Sequence, residues 1–194
     1  MRCALPLAAA APLCGECLRD PPPFQRCHCV FDYAFPWDRL ISRFKFGNEA
    51  ELATLLSTLL QQALRDQAAQ RPDLIVCVPL SRQRLAERGY NQAWEIARLL
   101  GREMGIDARP TLLRRTRDGA HQVDLPLARR RTNLRQAFAV DAARAASLGD
   151  RHVALVDDVM TSGATLREAA SALLDAGAAR VDAWILARTP APGG

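Results

Sequence analysis

Short segments of strand length occur at residues 74–78, 153–157 and 181–186, and they alternate with segments of helical periodicity. Segment 74–78 is apolar throughout, which is typical of a strand buried on both faces of a parallel sheet. Before the last of these strands, apolar residues recur at helical spacing until Gly177, which would end the helix. This order of strand, helix and strand predicts an α/β fold, in which helices cover both faces of a parallel β-sheet. Further strands are predicted at residues 111–114 and 137–140.

The composition is that of a folded chain with one main core. The chain has 194 residues, of which 49% are apolar and 24% charged, enough apolar surface for one buried core. A mean hydropathy of −0.10 argues against a membrane-embedded chain, and the moderate charge argues against intrinsic disorder. The net charge is +5, but residues 109–135 alone contain eight arginines against two aspartates. This basic patch would attract the phosphates of a nucleic acid or of a small metabolite.

Five of the six cysteines lie within the first 29 residues. Cys14 and Cys17 are separated by two residues, a spacing that lets both thiolates bind one tetrahedral zinc ion. Cys3 stands where the second member of an upstream pair would stand, so we expect the chain to begin late and its zinc ribbon to lack a ligand. The site is then incomplete, or completed by Cys27, His28 or Cys29. A redox pair and unliganded thiols are the alternatives. The candidate metal ligands are Cys3, Cys14, Cys17 and Cys29.

The start of the chain is not typical of a secretion signal. The apolar run at residues 4–13 is short, is interrupted by Pro6 and Pro12, and has a weak positive flank. We therefore expect a cytoplasmic protein without membrane insertion. The three prolines at residues 21–23 end the cysteine-rich segment. They suggest a partial zinc ribbon at residues 1–30 and a larger domain at residues 31–190.

Two local patterns follow the prolines. Phe31, Tyr33 and Phe35 alternate with other residues, which predicts a half-buried strand. Asn48 is followed three residues later by Glu51, a combination typical of a helix N-terminus, and leucines at helical spacing come next. We expect one long amphipathic helix here, capped by Asn48.

The strongest chemical signal spans residues 153–165, which read VALVDDVMTSGAT. The strand would end in Asp157 and Asp158, at the edge where open parallel sheets bind ligands, and carboxylates accept hydrogen bonds from both hydroxyls of a ribose. In the turn that follows, Gly163 allows close approach of the backbone, and the N–H groups that start the helix would hold a phosphate. Walker and dinucleotide motifs are absent. A sugar phosphate fits both the acid pair and the turn. The alternative is that the two aspartates only cap the helix.

The same segment resembles the phosphoribosyl-diphosphate (PRPP) motif of type I phosphoribosyltransferases, with four apolar residues, two acids, two apolar residues and a Thr/Ser/Gly turn. Val-Pro-Leu at 78–80, Arg-Gly-Tyr-Asn-Gln at 88–92 and the spaced residues of 122–138 resemble, in that order, the landmarks of the ComF/GntX family. This family comprises phosphoribosyltransferase-like proteins that carry an N-terminal zinc ribbon and are linked to natural competence. The resemblance covers nearly the whole chain. It implies a type I phosphoribosyltransferase fold preceded by a small cysteine-rich segment.

The resemblance also implies roles for individual residues. The acid pair would hold the ribose hydroxyls, and the turn after it would hold the 5-phosphate. Arg88 would face the diphosphate, because Gly89 permits a tight turn and Asn91 can cap the next helix. The arginine-rich stretch 114–131 would form a loop that closes over the site. The implied catalytic residues are Asp157, Asp158 and Arg88. The implied PRPP-binding residues are Pro79, Leu80, Arg88, Arg115, Gln122, Arg130, Asp157, Asp158, Val159, Thr161, Ser162, Gly163, Ala164 and Thr165.

The activity implied is transfer of the 5-phosphoribosyl group from PRPP, bound with Mg²⁺, to an unidentified nitrogen nucleophile. The alternative is a protein that handles single-stranded DNA during uptake and uses the PRPP site to sense a ligand. Single-strand binding normally combines a basic groove with stacking aromatic side chains. Residues 109–135 contain no aromatic residue, whereas seven of the eleven aromatics lie at residues 24–46. The alternative is therefore favoured if the aromatic segment folds beside the arginines.

Overall fold

A five-stranded parallel sheet forms the centre of the computed structural model, which describes residues 2–5, 13–116 and 137–190. The strands lie in the order β1-β7-β6-β2-β3, and every neighbouring pair is parallel. This confirms the α/β class predicted from the apolar runs. The strands are β1 Cys27–Asp32, β2 Leu74–Cys77, β3 Asp107–Arg109, β6 His152–Met160 and β7 Arg180–Arg188.

A short antiparallel pair, β4 and β5, lies apart from the main sheet. The segments predicted as strands at 111–114 and 137–140 form this pair rather than two further parallel strands. The helices among the described residues are α1 Gly15–Arg19, α2 Trp37–Phe46, α3 Leu52–Asp66, α4 Arg82–Arg88, α5 Gln92–Met104, α6 Ala142–Ala145 and α7 Ala164–Asp175, with a 3₁₀ turn at Ala146–Leu148. The two short strands are β4 Leu113–Arg115 and β5 Phe138–Val140.

Helices pack on both faces of the parallel sheet because successive side chains of each strand point to opposite faces. In β6, Val153 and Leu155 pack in the core that contains the apolar stripe of α7. Ala154 and Val156 pack in a second core with the apolar faces of α2, α3 and α5. All four side chains are fully buried. The acid pair continues this buried central strand, so the sheet itself fixes its position.

Strand β1 extends the sheet by pairing with β7. The boundary predicted between residues 30 and 31 falls inside this strand, which spans Cys27–Asp32. The strand predicted over Phe31, Tyr33 and Phe35 is wrong in its bounds, because β1 begins at Cys27 and ends at Asp32. Within the strand, the ring of Phe31 stacks on that of Trp37, the first residue of α2, with centroids 3.7 Å apart.

The predicted N-cap of the long helix is also wrong. Helix α3 begins at Leu52 with Glu51 in the N-cap position, where no side chain makes a capping hydrogen bond. Asn48 lies three residues further upstream with φ of +54°. Asparagine is one of the few residues that adopt this left-handed conformation readily, so Asn48 serves the turn between α2 and α3.

Across the described ranges, we find no helix with the length and apolar character needed to cross a membrane.

Candidate functional site

Asp157 and Asp158 lie near the carboxyl end of β6, which is flanked by β7 and β2 in the middle of the sheet. The strand extends three residues beyond its predicted end at Asp157 and finishes at Met160. The Asp158 side chain is 12% exposed, and Asp157 is half-buried. Two adjacent carboxyl groups with this little contact with water form an electrostatically unusual pair.

The two aspartates are coupled through their charge and through the backbone. An Asp157 carboxylate oxygen, Oδ1, accepts a hydrogen bond from the Asp158 N–H at 2.9 Å. Burial, followed by the negative charge of Asp158, raises the pKa of Asp157 to about 7, although this hydrogen bond and the charges of Lys45 and Arg115 oppose the rise. The pair therefore changes its charge near neutral pH. This is the property expected of carboxyl groups that receive a ligand rather than only support the fold.

Lys45 is one site residue that the sequence analysis missed. Its ammonium nitrogen lies 2.9 Å from Asp158 Oδ1, and its side chain is only 16% exposed. Lys45 ends up here because α2 packs against the sheet through Ile41 and Phe44, which are fully buried. One signal was available in the sequence, since Lys45 is the only lysine among the 26 basic residues of the chain.

The turn after β6 has the geometry expected of an anion-binding loop. Gly163 has φ of +77° and directly precedes α7, which starts at Ala164. A Cβ on Gly163 would meet the Met160 sulfur at 3.4 Å in a backbone conformation that strains any other residue. The Ser162 hydroxyl accepts a hydrogen bond from the Ala164 N–H at 3.4 Å. The first N–H groups of α7, a twelve-residue helix, point away from the helix body and carry its positive dipole end.

Small polar side chains accompany this turn. Thr161, Ser162 and Thr165 are exposed residues, so their hydroxyls are accessible to a ligand. Val159 is half-buried against the core that contains α2, and it links the acid pair to the turn. The structure therefore places the acids, the turn and the start of α7 in one continuous segment at the sheet edge.

Arg188 holds the turn after β6 through hydrogen bonds, and it is a second site residue that the sequence analysis missed. It is 7% exposed and lies at the end of β7. Its Nη1 donates hydrogen bonds to the carbonyls of Met160, at 3.0 Å, and of Thr161. Its Nε donates to the carbonyl of Cys3 at 3.2 Å. The guanidinium thus holds the first carbonyls of the turn and adds buried positive charge beneath it.

The residues after β2 form the other side of the site. Pro79 and Leu80 are half-buried, and Ser81 caps α4 by accepting a hydrogen bond from the Arg84 N–H at 3.1 Å. Asn91 caps α5 through the N–H groups of Ala93 and Trp94, as predicted. These caps fix the loop between β2 and α5 at the carboxyl edge of the sheet.

Arg88 ends α4, and the left-handed Gly89 that follows has φ of +76°. The predicted tight turn at Gly89 is thus confirmed. The Arg88 side chain, which was expected to face the diphosphate, contacts Gln92 and Phe46 in the structure. Its Nη1 donates to Gln92 Oε1 at 3.0 Å, and its guanidinium carbon lies 4.8 Å from the centre of the Phe46 ring. The aromatic end of α2 and the basic helix α4 therefore meet at this edge, and Phe46 is 71% exposed.

Arg115 approaches the acids from β4. Its guanidinium carbon lies 5.5 Å from the centre of the Phe138 ring, and its charge lowers the pKa of Asp157. The same charge opposes the burial that raises the pKa of Glu168 on α7 to about 7. Two other predicted site residues, Gln122 and Arg130, lie outside the described residues.

Three of the four candidate metal ligands form a cluster. The sulfurs of Cys3, Cys14 and Cys17 lie within 4.8 Å of one another, and those of Cys3 and Cys14 are 3.4 Å apart. A zinc ion at about 2.3 Å from each thiolate needs sulfurs about 3.8 Å apart, so the three thiols fit such an ion. Burial, together with the two neighbouring thiols, raises the pKa of Cys17 to about 12 in the metal-free protein. A metal ion bound by these three sulfurs would have to displace the thiol protons.

The structure does not bring Cys29 into this cluster. Cys29 lies in β1, where its thiol donates to the Phe31 carbonyl at 3.1 Å, and burial raises its pKa to about 11. Cys27 is fully buried in the core beside the sheet. Cys77, too, is a buried core residue.

The cysteine cluster and the turn are neighbours. Cys3 and Cys17 line one small cavity together with Ser162, Gly163 and Arg188. The sequence separation between the first cysteine and the turn gave no indication of this proximity. It arises because Arg188 donates to the backbone on both sides of the cavity.

Comparison with known proteins agrees with this architecture. The family described as "Phosphoribosyl transferase domain" matches residues 47–193. The chain is 40% identical over 192 residues to DNA utilization protein YhgH of Escherichia coli (strain K12). The matched region covers 97% of this chain and 83% of that protein. It is 35% identical over 190 residues to Competence protein F of Haemophilus influenzae, covering 96% of this chain and 82% of that protein.

Among solved structures, the glutamine PRPP amidotransferase from B. subtilis, complexed with ADP and GMP, matches with a TM-score of 0.48 and 21% identity. The match covers 71% of this chain and 26% of the amidotransferase.

The family match spans most of the chain, including the acid pair and its turn, so the chain belongs to the phosphoribosyltransferase domain family and has its type I fold. The DNA utilization and competence relatives match it over nearly its whole length. Within the phosphoribosyltransferase class, the chain is a member of the ComF/GntX family, as the order of its motifs predicted.

Proposed function

We propose that the chain binds PRPP as its magnesium complex and transfers the 5-phosphoribosyl group to a nitrogen nucleophile. The observation that carries this proposal is the continuous segment at the end of β6, where Asp157 and Asp158 precede the turn at residues 161–165. The acid pair is suited to two neighbouring hydroxyls, and the turn with its helix N-terminus is suited to a phosphate. A ribose 5-phosphate unit carries both groups at matching ends.

In this proposal, each part of the site manages charge at one end of the substrate. The ribose C1–oxygen bond breaks, and its electron pair leaves with the diphosphate while the ring gains positive charge. The nitrogen nucleophile then forms the C1–N bond and loses a proton to solvent. Asp157 and Asp158 orient the ribose and favour the cationic ring electrostatically.

The diphosphate end would lie between Pro79, Leu80 and Arg88 on one side and Arg115 on the other. Arginine suits this task because its planar fork donates to two phosphate oxygens at once. Mg²⁺ carried by PRPP would neutralise part of the charge on the leaving diphosphate. Gln122 and Arg130 remain predicted contacts of the same substrate.

A cysteine-bound zinc ion belongs to the same proposal. Cys3, Cys14 and Cys17 would hold it, and its contribution would be to fix the backbone at the start of the chain. The cysteine-rich segment, in this view, is a small unit that ends before β1 and leans on the phosphoribosyltransferase domain. Metal analysis of the purified chain that finds no zinc, with all six thiols free, would contradict this part.

A second candidate function, handling of single-stranded DNA, is supported by one contact and by the names of the relatives. Phe46 is 71% exposed and lies under the guanidinium of Arg88, so an aromatic ring and a basic side chain share one accessible surface. Such a surface suits stacking of bases beside a phosphate backbone. The relatives are named for DNA utilization and for competence.

The two functions are separated by binding and product measurements on the same preparation. Titration calorimetry with magnesium PRPP should show binding, and the double variant Asp157→Asn, Asp158→Asn should lose it by about 100-fold or more, because both hydroxyl acceptors lose their charge. Asp175→Asn changes an exposed aspartate at the end of α7 and should bind like the unaltered chain. Undiminished affinity in the double variant would refute the assignment.

Release of pyrophosphate is then followed with a panel of nucleobases and other amines, in the absence of DNA. Release that depends on one acceptor identifies the enzyme. Binding of single strands that weakens steeply with salt, without release of pyrophosphate, favours DNA handling. Phe46→Ala should reduce single-strand affinity by about tenfold in that case, since stacking on one aromatic ring is lost.

A further inference from the structure

The only lysine of the chain lies in the ligand site. We propose that Lys45 is a positioning residue of this site, which holds Asp158 through an ion pair and leaves the second carboxylate oxygen of Asp158 to a substrate hydroxyl. The pair joins Lys45 Nζ to Asp158 Oδ1 at 2.9 Å. This inference rests on the proposed function, because it assigns Lys45 to the ribose end of the same substrate.

The position of Lys45 is fixed by contacts on both sides of it. The Tyr90 hydroxyl donates a hydrogen bond to the carbonyl of Phe44, the preceding residue. Phe46, the following residue, lies under the guanidinium of Arg88. The last turn of α2 is thereby attached to the loop before α5, so the ammonium group is directed to Asp158 by packing rather than by chance contact of a surface side chain.

The acid pair needs this positive charge. The groups that face Asp157 are Asp158 in the same strand, Lys45 from α2, Arg115 from β4 and Cys77 from β2. Burial and the charge of Asp158 raise the pKa of Asp157, and the two basic groups lower it. Without Lys45, only the Asp158 N–H and the charge of Arg115 would still favour the charged form of Asp157. Lys45 therefore contributes to the negative charge that the pair holds at neutral pH.

The choice of lysine is itself informative. The chain has arginine at the other 25 Lys or Arg positions and lysine only at this one. An ammonium group is a compact charge on a flexible stem, whereas a guanidinium is planar and wider. A shielded position beside one carboxylate oxygen suits the smaller group. The three-residue end of α2 thus presents a point charge to the acid pair and an aromatic ring to the solvent.

The first test needs no substrate. Lys45→Met removes the charge, and Arg43→Met is the matched control, since Arg43 lies on the same helix in an exposed ion pair with Glu49. Thermal unfolding of both variants is compared with the unaltered chain at about pH 5.5 and about pH 8.5, on either side of the Asp157 titration. We expect Lys45→Met to lose stability mainly at the higher pH, where both carboxyl groups are charged. Arg43→Met should lose the same small amount at both.

The direction follows from the Asp157 titration. Its folded-state pKa lies above the ordinary value, so the stability it contributes at low pH is lost as the pH rises through about 7. Removing Lys45 raises that pKa further and extends the loss to higher pH. A loss in Lys45→Met that is equal at both pH values would overturn the proposal. Lys45→Arg, which keeps the charge, should recover most of the pH-dependent part.

A measurement that keeps Lys45 in place covers the case in which Lys45→Met does not fold. Protein labelled with ¹³C-lysine should give one ε-carbon signal in NMR spectra, because the chain has one lysine. We expect this signal to shift in Asp158→Asn and to stay in place in Arg43→Met. An unchanged signal in Asp158→Asn means that the ion pair does not exist in solution, and the proposal is then wrong.

The final arm uses magnesium PRPP. At about pH 7.5, Lys45→Met should bind PRPP about tenfold more weakly, with affinity moving toward the normal value at higher pH as Asp157 ionises, whereas Arg43→Met should bind normally. Normal binding by Lys45→Met refutes the role of Lys45 while the proposed function stands. If the unaltered chain does not bind PRPP, the proposed function fails and the assignment of Lys45 to its site fails with it, and the NMR result still decides whether the ion pair forms.

Discussion

Two shielded aspartates at opposite ends of the parallel sheet have pKa values that are shifted in opposite directions. At the amino end of β7, Asp182 is 1% exposed and accepts hydrogen bonds from His152, from the Arg26 N–H and from two nitrogens of Arg180. Although burial opposes it, these donors lower the pKa of Asp182. At the carboxyl end of β6, burial instead raises the pKa of Asp157 to about 7.

The difference lies in the number of donors rather than in burial. Asp182 has partners on both carboxylate oxygens, as a carboxylate that serves the fold should. Asp157 Oδ1 receives one backbone N–H and shares its surroundings with a second carboxylate. Acceptor capacity that the fold leaves unused is capacity for a ligand, and it costs stability when the site is empty.

The largest expected effect is at the amino end. Asp182→Asn should lower the free energy of unfolding by about 3 kcal/mol, because Arg180 and His152 lose the charge of a buried partner. Chemical denaturation measures this loss. The lowered pKa of Asp182 means that its contribution is present above the ordinary aspartate pKa, and the cost of the substitution should shrink as the pH falls below about 4. A cost that stays constant to low pH would show that packing, not charge, is lost.

The second effect has the opposite sign. Asp157→Asn should raise the melting temperature by about 5 °C near pH 8.5, because a carboxylate that burial disfavours is replaced by a neutral group. Near pH 4 the change should be small, since Asp157 is then protonated in the folded chain and partly protonated in the unfolded chain. Calorimetric melting curves at the two pH values test this. Stabilisation that is equal at both would remove the distinction between the two ends of the sheet.

The smallest expected effect is at two glycines, where the cost of backbone strain can be distinguished from an effect on ligand binding. Gly163 in the turn has φ of +77°, and Gly177 before β7 has φ of +103°. Alanine at either position should cost about 1 kcal/mol of unfolding free energy, because both conformations disfavour a side chain. Only Gly163→Ala should also weaken binding of magnesium PRPP. Equal affinity in the two variants would mean that the turn does not hold the phosphate.

Local patterns in the sequence predicted the parts of the fold that depend on neighbouring residues. The strands β2, β6 and β7 follow from apolar runs, and the α5 cap follows from Asn91. Asn48 was misread because the same residue type favours both a helix cap and a left-handed turn. A single sequence does not distinguish these two uses.

The parts that could not be predicted depend on contacts between distant residues. The pairing of β1 with β7, the ion pair of Lys45 with Asp158 and the grip of Arg188 on the turn each join segments more than 25 residues apart in number. Cys29 looked like a metal ligand by its position in the sequence, but its place in β1 separates it from the cluster of Cys3, Cys14 and Cys17. The acid pair and its turn were predictable because they form one unbroken segment.

Arg188 has a consequence for the mechanics of the site. One buried guanidinium donates to carbonyls that belong to Cys3, Met160 and Thr161. The backbone beside the thiols cannot be displaced without disturbing the donors that hold the bend after β6, because a buried cation that loses an acceptor is costly. The backbone at Cys3 is therefore a mechanical support for a turn that lies about 160 positions later in the sequence.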